Sequence, residues 1–272
     1  MSGTHAAPTG PAQAGAAGAI ERAAAERRAA LVGYLPAGFP SLAASIDAAG
    51  ALIAGGVDIV ELGLPYSDPV MDGPVIAQAA AAALAGGTRV DDVFQAVAEL
   101  APSGRPIEVM TYYNPVFRRG VERFAADLAA AGGAGLITPD LIPEEAADWI
   151  SAADARGLDK IFLVAPSSTQ ARLALTAANC RGFTYAASTM GVTGARAALS
   201  ALARPLVERA RAAGAERVCL GVGVSTPEQA AEVAGFADGV IVGSAFVQRL
   251  ADGLGWGALE RFARELRQAV ER

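Results

Sequence analysis

The chain has 272 residues, 53% of them apolar, and a net charge of −6. A length close to the ~250 residues of one eight-fold barrel buries roughly three-quarters of the unfolded surface, so neither a disulfide nor a metal is needed to hold the fold. An acidic balance without a basic cluster excludes nucleic acid as a partner, and no apolar run reaches the ~18 residues of a membrane span.

Residues 1–18 are mainly Ala, Gly, Pro and Thr, with no Lys or Arg and no apolar stretch. Such a segment is neither a signal nor a transit peptide; it reads as a disordered extension, leaving 19–272 as one domain of a cytoplasmic protein. From residue 30 onward, short apolar runs alternate with Ala/Leu-rich helical patterns. The runs are Leu31–Leu35, Val57–Leu62, Ile107–Tyr112, Gly135–Thr138, Ile161–Val164, Phe183–Ala187, Val218–Val222 and Val240–Val242. Helical stretches such as Leu42–Ala54 and Val121–Ala131 lie between them. Alternating βα units predict a parallel sheet covered by helices, and unbroken apolar strands fit burial on both faces. Eight strands favour a closed (β/α)8 TIM barrel, with a doubly wound open sheet as the alternative. Cys180 and Cys219 read as reduced core thiols.

The ends of the runs differ. Asp58, Asp159, Glu216 and Asp238 mark strand starts, whereas Glu61-Leu-Gly-Leu-Pro, Tyr112-Tyr-Asn-Pro, Gly221-Val-Gly-Val-Ser and Gly243-Ser mark the other ends. In a barrel, chemistry belongs to the C-terminal rim and its βα loops. The loops Leu64–Gly73 and Thr189–Ala198 exceed the usual ~2–6 residues and are candidate lids.

Glu61 interrupts an apolar run. Alternation would put it on one face with Val57 and Ile59, inside the barrel near the top. A carboxyl buried there must be paired or have a raised pKa, the second being what a general acid/base at neutral pH requires. Asp72 sits in Asp72-Gly-Pro on the long second loop, a sequence that equally suits an ordinary turn. Gly221-Val-Gly and Gly243-Ser end strands seven and eight, where barrels often bind phosphate through backbone N–H groups; a dinucleotide reading lacks its third glycine and acidic partner.

Two absences narrow the chemistry. The single histidine, His5, lies in the extension, and the single lysine, Lys160, precedes strand five on the stability face. A metal-dependent aldolase lacks its ligand cluster and a Schiff-base aldolase its rim lysine. What remains is a metal-free acid/base enzyme acting on a phosphorylated substrate.

The string Glu61-Leu-Gly-Leu-Pro-Tyr-Ser-Asp-Pro-Val-Met-Asp-Gly-Pro resembles the signature of tryptophan synthase alpha subunits, and agreement extends through Asp140-Leu-Ile-Pro-Glu-Glu, Gly191-Val-Thr-Gly, Gly221-Val-Gly-Val-Ser and Gly243-Ser-Ala over about residues 20–272. The resemblance implies retro-aldol cleavage of indole-3-glycerol phosphate to indole and glyceraldehyde 3-phosphate. By it, Asp72 holds the indole nitrogen and Glu61 shuttles protons. Gly194, Gly223, Gly243 and Ser244 hold the phosphate, Tyr185 contacts the catalytic region, Thr193 bonds Asp72 on loop closure, and Tyr34 and Tyr112 line the indole pocket.

The resemblance also implies a beta-subunit partner in an αββα complex, faced by Pro65 and Asp68. Pyridoxal phosphate is expected in that partner, with no cofactor and no metal in this chain. Val222 and Thr189 depart from the aromatic and arginine common in the family, which touches indole packing and loop closure. A free-standing lyase that releases indole without a partner would use the same residues. A non-catalytic activating subunit would not need both carboxylates, and a sugar-phosphate isomerase barrel would bind without releasing indole.

Overall fold

The structure, a computed structural model, describes residues 15–187, 196–221 and 223–272. Eight parallel strands close into a barrel in chain order: β1 (Ala30–Pro36), β2 (Ile59–Gly63), β3 (Ile107–Met110), β4 (Gly135–Thr138), β5 (Asp159–Val164), β6 (Thr184–Ala187), β7 (Val218–Gly221) and β8 (Gly239–Val242). Helix α1 (Ala16–Ala25) precedes β1, and α2 (Leu42–Ala54) returns the chain to β2. Helices α3 (Pro74–Ala85) and α4 (Val90–Leu100) lead to β3; α5 (Tyr113–Arg119) and α6 (Val121–Ala130) lead to β4. Beyond β4 come α7 (Ala147–Asp154), α8 (Gln170–Asn179), α9 (Arg196–Ala212), α10 (Pro227–Ala234), α11 (Ser244–Ala251) and α12 (Trp256–Ala269). The closed barrel settles the choice against an open sheet.

The unbroken apolar strands follow from two cores, one on each face of the barrel wall. Leu31, Val60, Leu62, Leu136, Phe162 and Val240 point outward against the helices. Val32, Ile59, Ile137, Ile161, Phe183, Cys219 and Ile241 point inward. Helix limits obey local chemistry. The Ser41 hydroxyl accepts the Ala44 N–H at 3.2 Å to start α2, and Thr226 and Gln229 form a capping box before Pro227 opens α10.

Three details depart from the sequence reading. Val57 lies in the turn before β2, its N–H bonded to the Leu52 carbonyl at 3.1 Å, and it packs in the outer core rather than on the face of Glu61. Strand β3 stops at Met110, because Tyr112 turns to cap α5. Lys160 is the second residue of β5 rather than a residue before it, with Nζ 2.6 Å from the Asp154 carboxylate.

At the N-terminal end, α1 begins at Ala16, inside the stretch read as extension; residues 1–14 lie outside the described residues. The Asp159 carboxylate accepts the Ala16 N–H at 2.9 Å, and Ala16, Ala19, Ile20 and Ala23 join the inward core. The helix therefore closes the bottom of the barrel. Acidic residues at strand starts knit this face. Asp58 accepts from Leu31 N–H at 2.9 Å and from the Arg28 guanidinium at 2.8 Å, and Asp238 accepts from Val218 N–H at 2.9 Å.

Candidate active site

The C-terminal rim gathers the residues singled out for chemistry. Glu61 is the third residue of β2, in register with Tyr34 of β1 on one side and Glu108 of β3 on the other. It is 0% exposed, and neither of its oxygens has a hydrogen-bond partner among the described residues. Loss of hydration penalises its ionised form, and burial alone pushes its pKa to about 8. That is the property a group needs to give up and retake a proton near neutrality.

Asp72 occupies a different environment. It is half-buried, on the loop between β2 and α3. Burial raises its pKa, and a hydrogen bond from the Tyr112 hydroxyl opposes that rise. The same hydroxyl accepts the Met71 N–H at 2.9 Å, so Tyr112 ties the loop to the end of β3 and presents Asp72 to the barrel mouth. Tyr66 packs on the Tyr112 ring with centroids 5.3 Å apart.

Tyr34 and Tyr185 complete the floor. The charges of both Asp72 and Glu61 reach each phenol, and burial raises the pKa of both. Their hydroxyls account for two rim glycines. A Cβ on Gly63 would lie 2.4 Å from Tyr34 Oη, and one on Gly221 would lie 2.1 Å from Tyr185 Oη. No real contact is that short, so Gly221 makes space for a tyrosine, where the sequence suggested close approach to a phosphate.

The residues assigned to phosphate lie on the same rim. Gly243 caps the start of α11 without a side-chain hydrogen bond, and a Cβ there would lie 3.3 Å from the Tyr34 ring. Ser244 is the first residue of α11 and half-buried. Gly223 is exposed with φ +52°, a left-handed conformation that suits glycine. A helix N-terminus with unsatisfied N–H groups attracts an anion. Thr189, Thr193, Gly194 and Val222 lie outside the described residues.

At the segment assigned to the partner, Asp68 is exposed but Pro65 is buried. The chain is still held in the sheet at Leu64, whose N–H bonds the Met110 carbonyl at 2.9 Å. Surface here comes from Asp68, Val70 (83% exposed) and Met71.

Glu108 was missed in the sequence, although it carries the same signal as Glu61. It is a carboxyl inside the apolar run Ile107-Glu-Val-Met, fully buried, its pKa raised first by burial and then by the charge of Asp159 and a side-chain hydrogen bond shared with it. A cavity of about 540 Å³ at the opposite end of the barrel is lined by Asp159, Arg181 and Arg217 among others. Its cations are already engaged, Arg217 with Glu21 at 2.6 Å and Arg181 with Asp154 at 2.9 Å. Among the described residues no group of three His, Cys, Asp or Glu side chains is placed to hold a metal, and no helix is long and apolar enough to cross a membrane.

A family model described as tryptophan synthase alpha chain matches residues 20–271. The tryptophan synthase alpha chain of Thermobifida fusca is 60% identical over 236 residues, 86% of this chain and 87% of its own length. That of Leifsonia xyli subsp. xyli is 58% identical over 254 residues, 93% of this chain and 97% of its own. Among solved structures, Mycobacterium tuberculosis tryptophan synthase superposes with a TM-score of 0.89 at 52% identity, over 94% of this chain and 98% of that one. Tryptophan synthase subunit alpha from Legionella pneumophila superposes with a TM-score of 0.86 at 30% identity, over 94% of this chain and 97% of that one. With a match across the whole barrel, and the signature carboxyls on its rim, the chain belongs to the tryptophan synthase alpha chain family.

Proposed function

We infer that Glu61 and Asp72 carry out the reaction of this chain, the cleavage of indole-3-glycerol phosphate to indole and glyceraldehyde 3-phosphate in tryptophan biosynthesis. The observation that supports these roles is the contrast between the two carboxyls. One is dry and unpartnered with its pKa raised to about 8; the other is only partly buried at the mouth, where burial raises its pKa and a tyrosine hydroxyl opposes that rise. Two acids in environments that separate their proton affinities can divide acid and electrostatic work.

In the first step Glu61 gives its proton to indole C3, and the ring nitrogen gains positive charge. The Asp72 carboxylate accepts the ring N–H and offsets that charge. The bond from C3 to the glycerol carbon then breaks, and its electron pair restores the indole. The glycerol hydroxyl becomes the aldehyde and its proton passes to Glu61. The acid is regenerated and no proton is gained or lost. Gly223, Gly243 and Ser244, joined by Gly194, hold the phosphate at the α11 N-terminus. Tyr34, Tyr112 and Tyr185 enclose the indole, and Thr193 bonds Asp72 when its loop closes.

The exposed Val70 and Met71 beside Asp68 favour a partnered chain over a free-standing lyase, since apolar side chains so exposed gain from being covered. The partner is a beta subunit in an αββα complex, and pyridoxal phosphate belongs to it. Lys160, the single lysine, faces the far end of the barrel, paired with Asp154. A biosynthetic role of this kind places the protein in the cytoplasm.

The test is indole release from indole-3-glycerol phosphate by the complex assembled with each variant. Glu61→Gln and Asp72→Asn should each lower turnover by about 10²–10⁴-fold while the complex still forms. An active Asp72→Asn variant would remove that residue from the mechanism.

A further inference from the structure

Helix α1 has no cap of its own. Its N-cap is Gly15, without a side-chain hydrogen bond, and its first turn holds no acidic residue. The barrel wall supplies both. The Asp159 carboxylate accepts the Ala16 N–H at 2.9 Å, and it stands so close that a Cβ on Gly15 would lie 2.7 Å from its Oδ2. An anion at that position offsets the positive end of the helix dipole. Asp159 is met in turn by Glu108. Ile107 and Val109 belong to the outward core, so Glu108 between them points into the barrel. Register runs from Glu108 of β3 to Gly135 of β4 and on to Asp159 of β5. A Cβ on Gly135 would lie 2.5 Å from Asp159 Cβ. Glycine therefore leaves the two acids facing each other across β4, and their side chains share a hydrogen bond. Two carboxyls can hydrogen-bond only with a proton between them.

We propose that one proton shared by Glu108 and Asp159 latches helix α1 across the bottom of the barrel, so that this end stays closed while the pair keeps the proton and loosens when the proton leaves. Glu108 is the donor. Asp159 has the neighbours that favour an anion: the Ala16 N–H, the Arg181 guanidinium with Nε 3.9 Å from Oδ1, and the charge of Arg217 before β7. Glu21 of α1 is turned to Arg217 at 2.6 Å, and Asp154 to Arg181 at 2.9 Å. The charges that reach Glu108 are acidic, Asp159 of β5 and Glu61 of β2. Burial first, then the Asp159 charge and the shared hydrogen bond, raises the Glu108 pKa well above the ordinary carboxyl range. Burial raises that of Asp159 too, opposed by the Ala16 N–H and the bond from Glu108. Both folded values lie above the unfolded ones, so the latch is complete in acid and is lost as pH rises through the raised values of the pair. Once Glu108 ionises, two carboxylates face each other in a dry core, and the repulsion falls on the Asp159 contact with Ala16. The cavity of about 540 Å³ lined by Asp159 and by Ala17 of α1 gives the proton a way out.

The experiment is amide hydrogen exchange of the intact chain between about pH 6 and about pH 10, read by mass spectrometry on peptides covering α1 and, for reference, α6. After correction for the intrinsic exchange rate, protection of α1 in the unaltered protein should fall at least about tenfold over that range while α6 holds. In Glu108→Gln the amide still donates to Asp159 but has no proton to lose, so protection of α1 should stay level with that of α6. Glu61 titrates in both proteins, so its effect cancels in the comparison. Three results would each overturn the proposal: no loss in α1, an equal loss in α1 and α6, or the same loss of α1 protection in Glu108→Gln as in the unaltered protein. Where Glu108→Gln does not fold, carboxyl-carbon NMR of the unaltered protein labelled at Asp and Glu decides. At about pH 7 Asp159 should be ionised and Glu108 protonated, and two ionised carboxyls would sink the idea.

Discussion

A carboxyl with no partner at the centre of a barrel trades stability for chemistry. Glu61 has a folded pKa raised from 4.5 to about 8, so between those values the folded state binds the proton more tightly than the unfolded one. Its contribution is complete below about pH 4.5 and is lost as pH rises through about 8. Glu61→Gln carries no such linkage. The difference in melting temperature between Glu61→Gln and the unaltered protein should therefore grow in favour of the variant between about pH 5 and about pH 9, reaching at least about 3 °C. A pH-independent difference in calorimetric melts would show that Glu61 is hydrated or paired. Glu61 was legible in the sequence because a charge inside an apolar run is rare. Glu108 carried the same mark and went unread, since attention at β3 went to Tyr112-Tyr-Asn-Pro at its end. That the two are adjacent depends on strand register, which a single sequence does not reveal.

At the scale of elements, the helices at the two ends of the barrel do different work. Helix α1 seals the bottom, and its Ile20 is 4% exposed within the inward core. Ile20→Ala should cost about 2–4 kcal/mol by urea unfolding, with kcat unaltered under conditions where the variant is folded. A loss below about 0.5 kcal/mol would mean that the helix merely rests on the barrel. At the other end, the start of α11 is assigned to the phosphate. Ser244→Asp places a negative charge there and should raise KM for indole-3-glycerol phosphate at least about tenfold with much less effect on kcat. An unchanged KM would move the phosphate elsewhere. Strand positions were predictable to within a residue or two, because buried runs bounded by Gly, Pro and Asp leave little choice. The start of α1 was not. Ala16 and Gly18 look like linker residues in isolation, and only contact with Asp159 and the barrel core makes them helical and buried.

For the whole molecule, the loop from Asp68 to Met71 joins the candidate site to the surface. Met71 N–H bonds the Tyr112 hydroxyl that also holds Asp72, so a partner pressing on the exposed Val70 and Met71 would act on Asp72 through one residue. Indole release should rise at least about tenfold when the beta subunit is added, and Val70→Asp should weaken that activation while leaving the turnover of the isolated chain intact. Equal rates with and without the partner would favour the free-standing lyase. By itself the sequence determined a parallel sheet covered by helices, through the spacing of eight apolar runs, and the chemistry available, since a chain with one lysine and one histidine has few options. Only the tertiary structure decided which acids are dry, which stand next to each other, and that residues 16–18, taken for the end of a tail, open the helix that closes the barrel. Those outcomes depend on the stagger of strands far apart in the chain, and desolvation exists only once the barrel has closed.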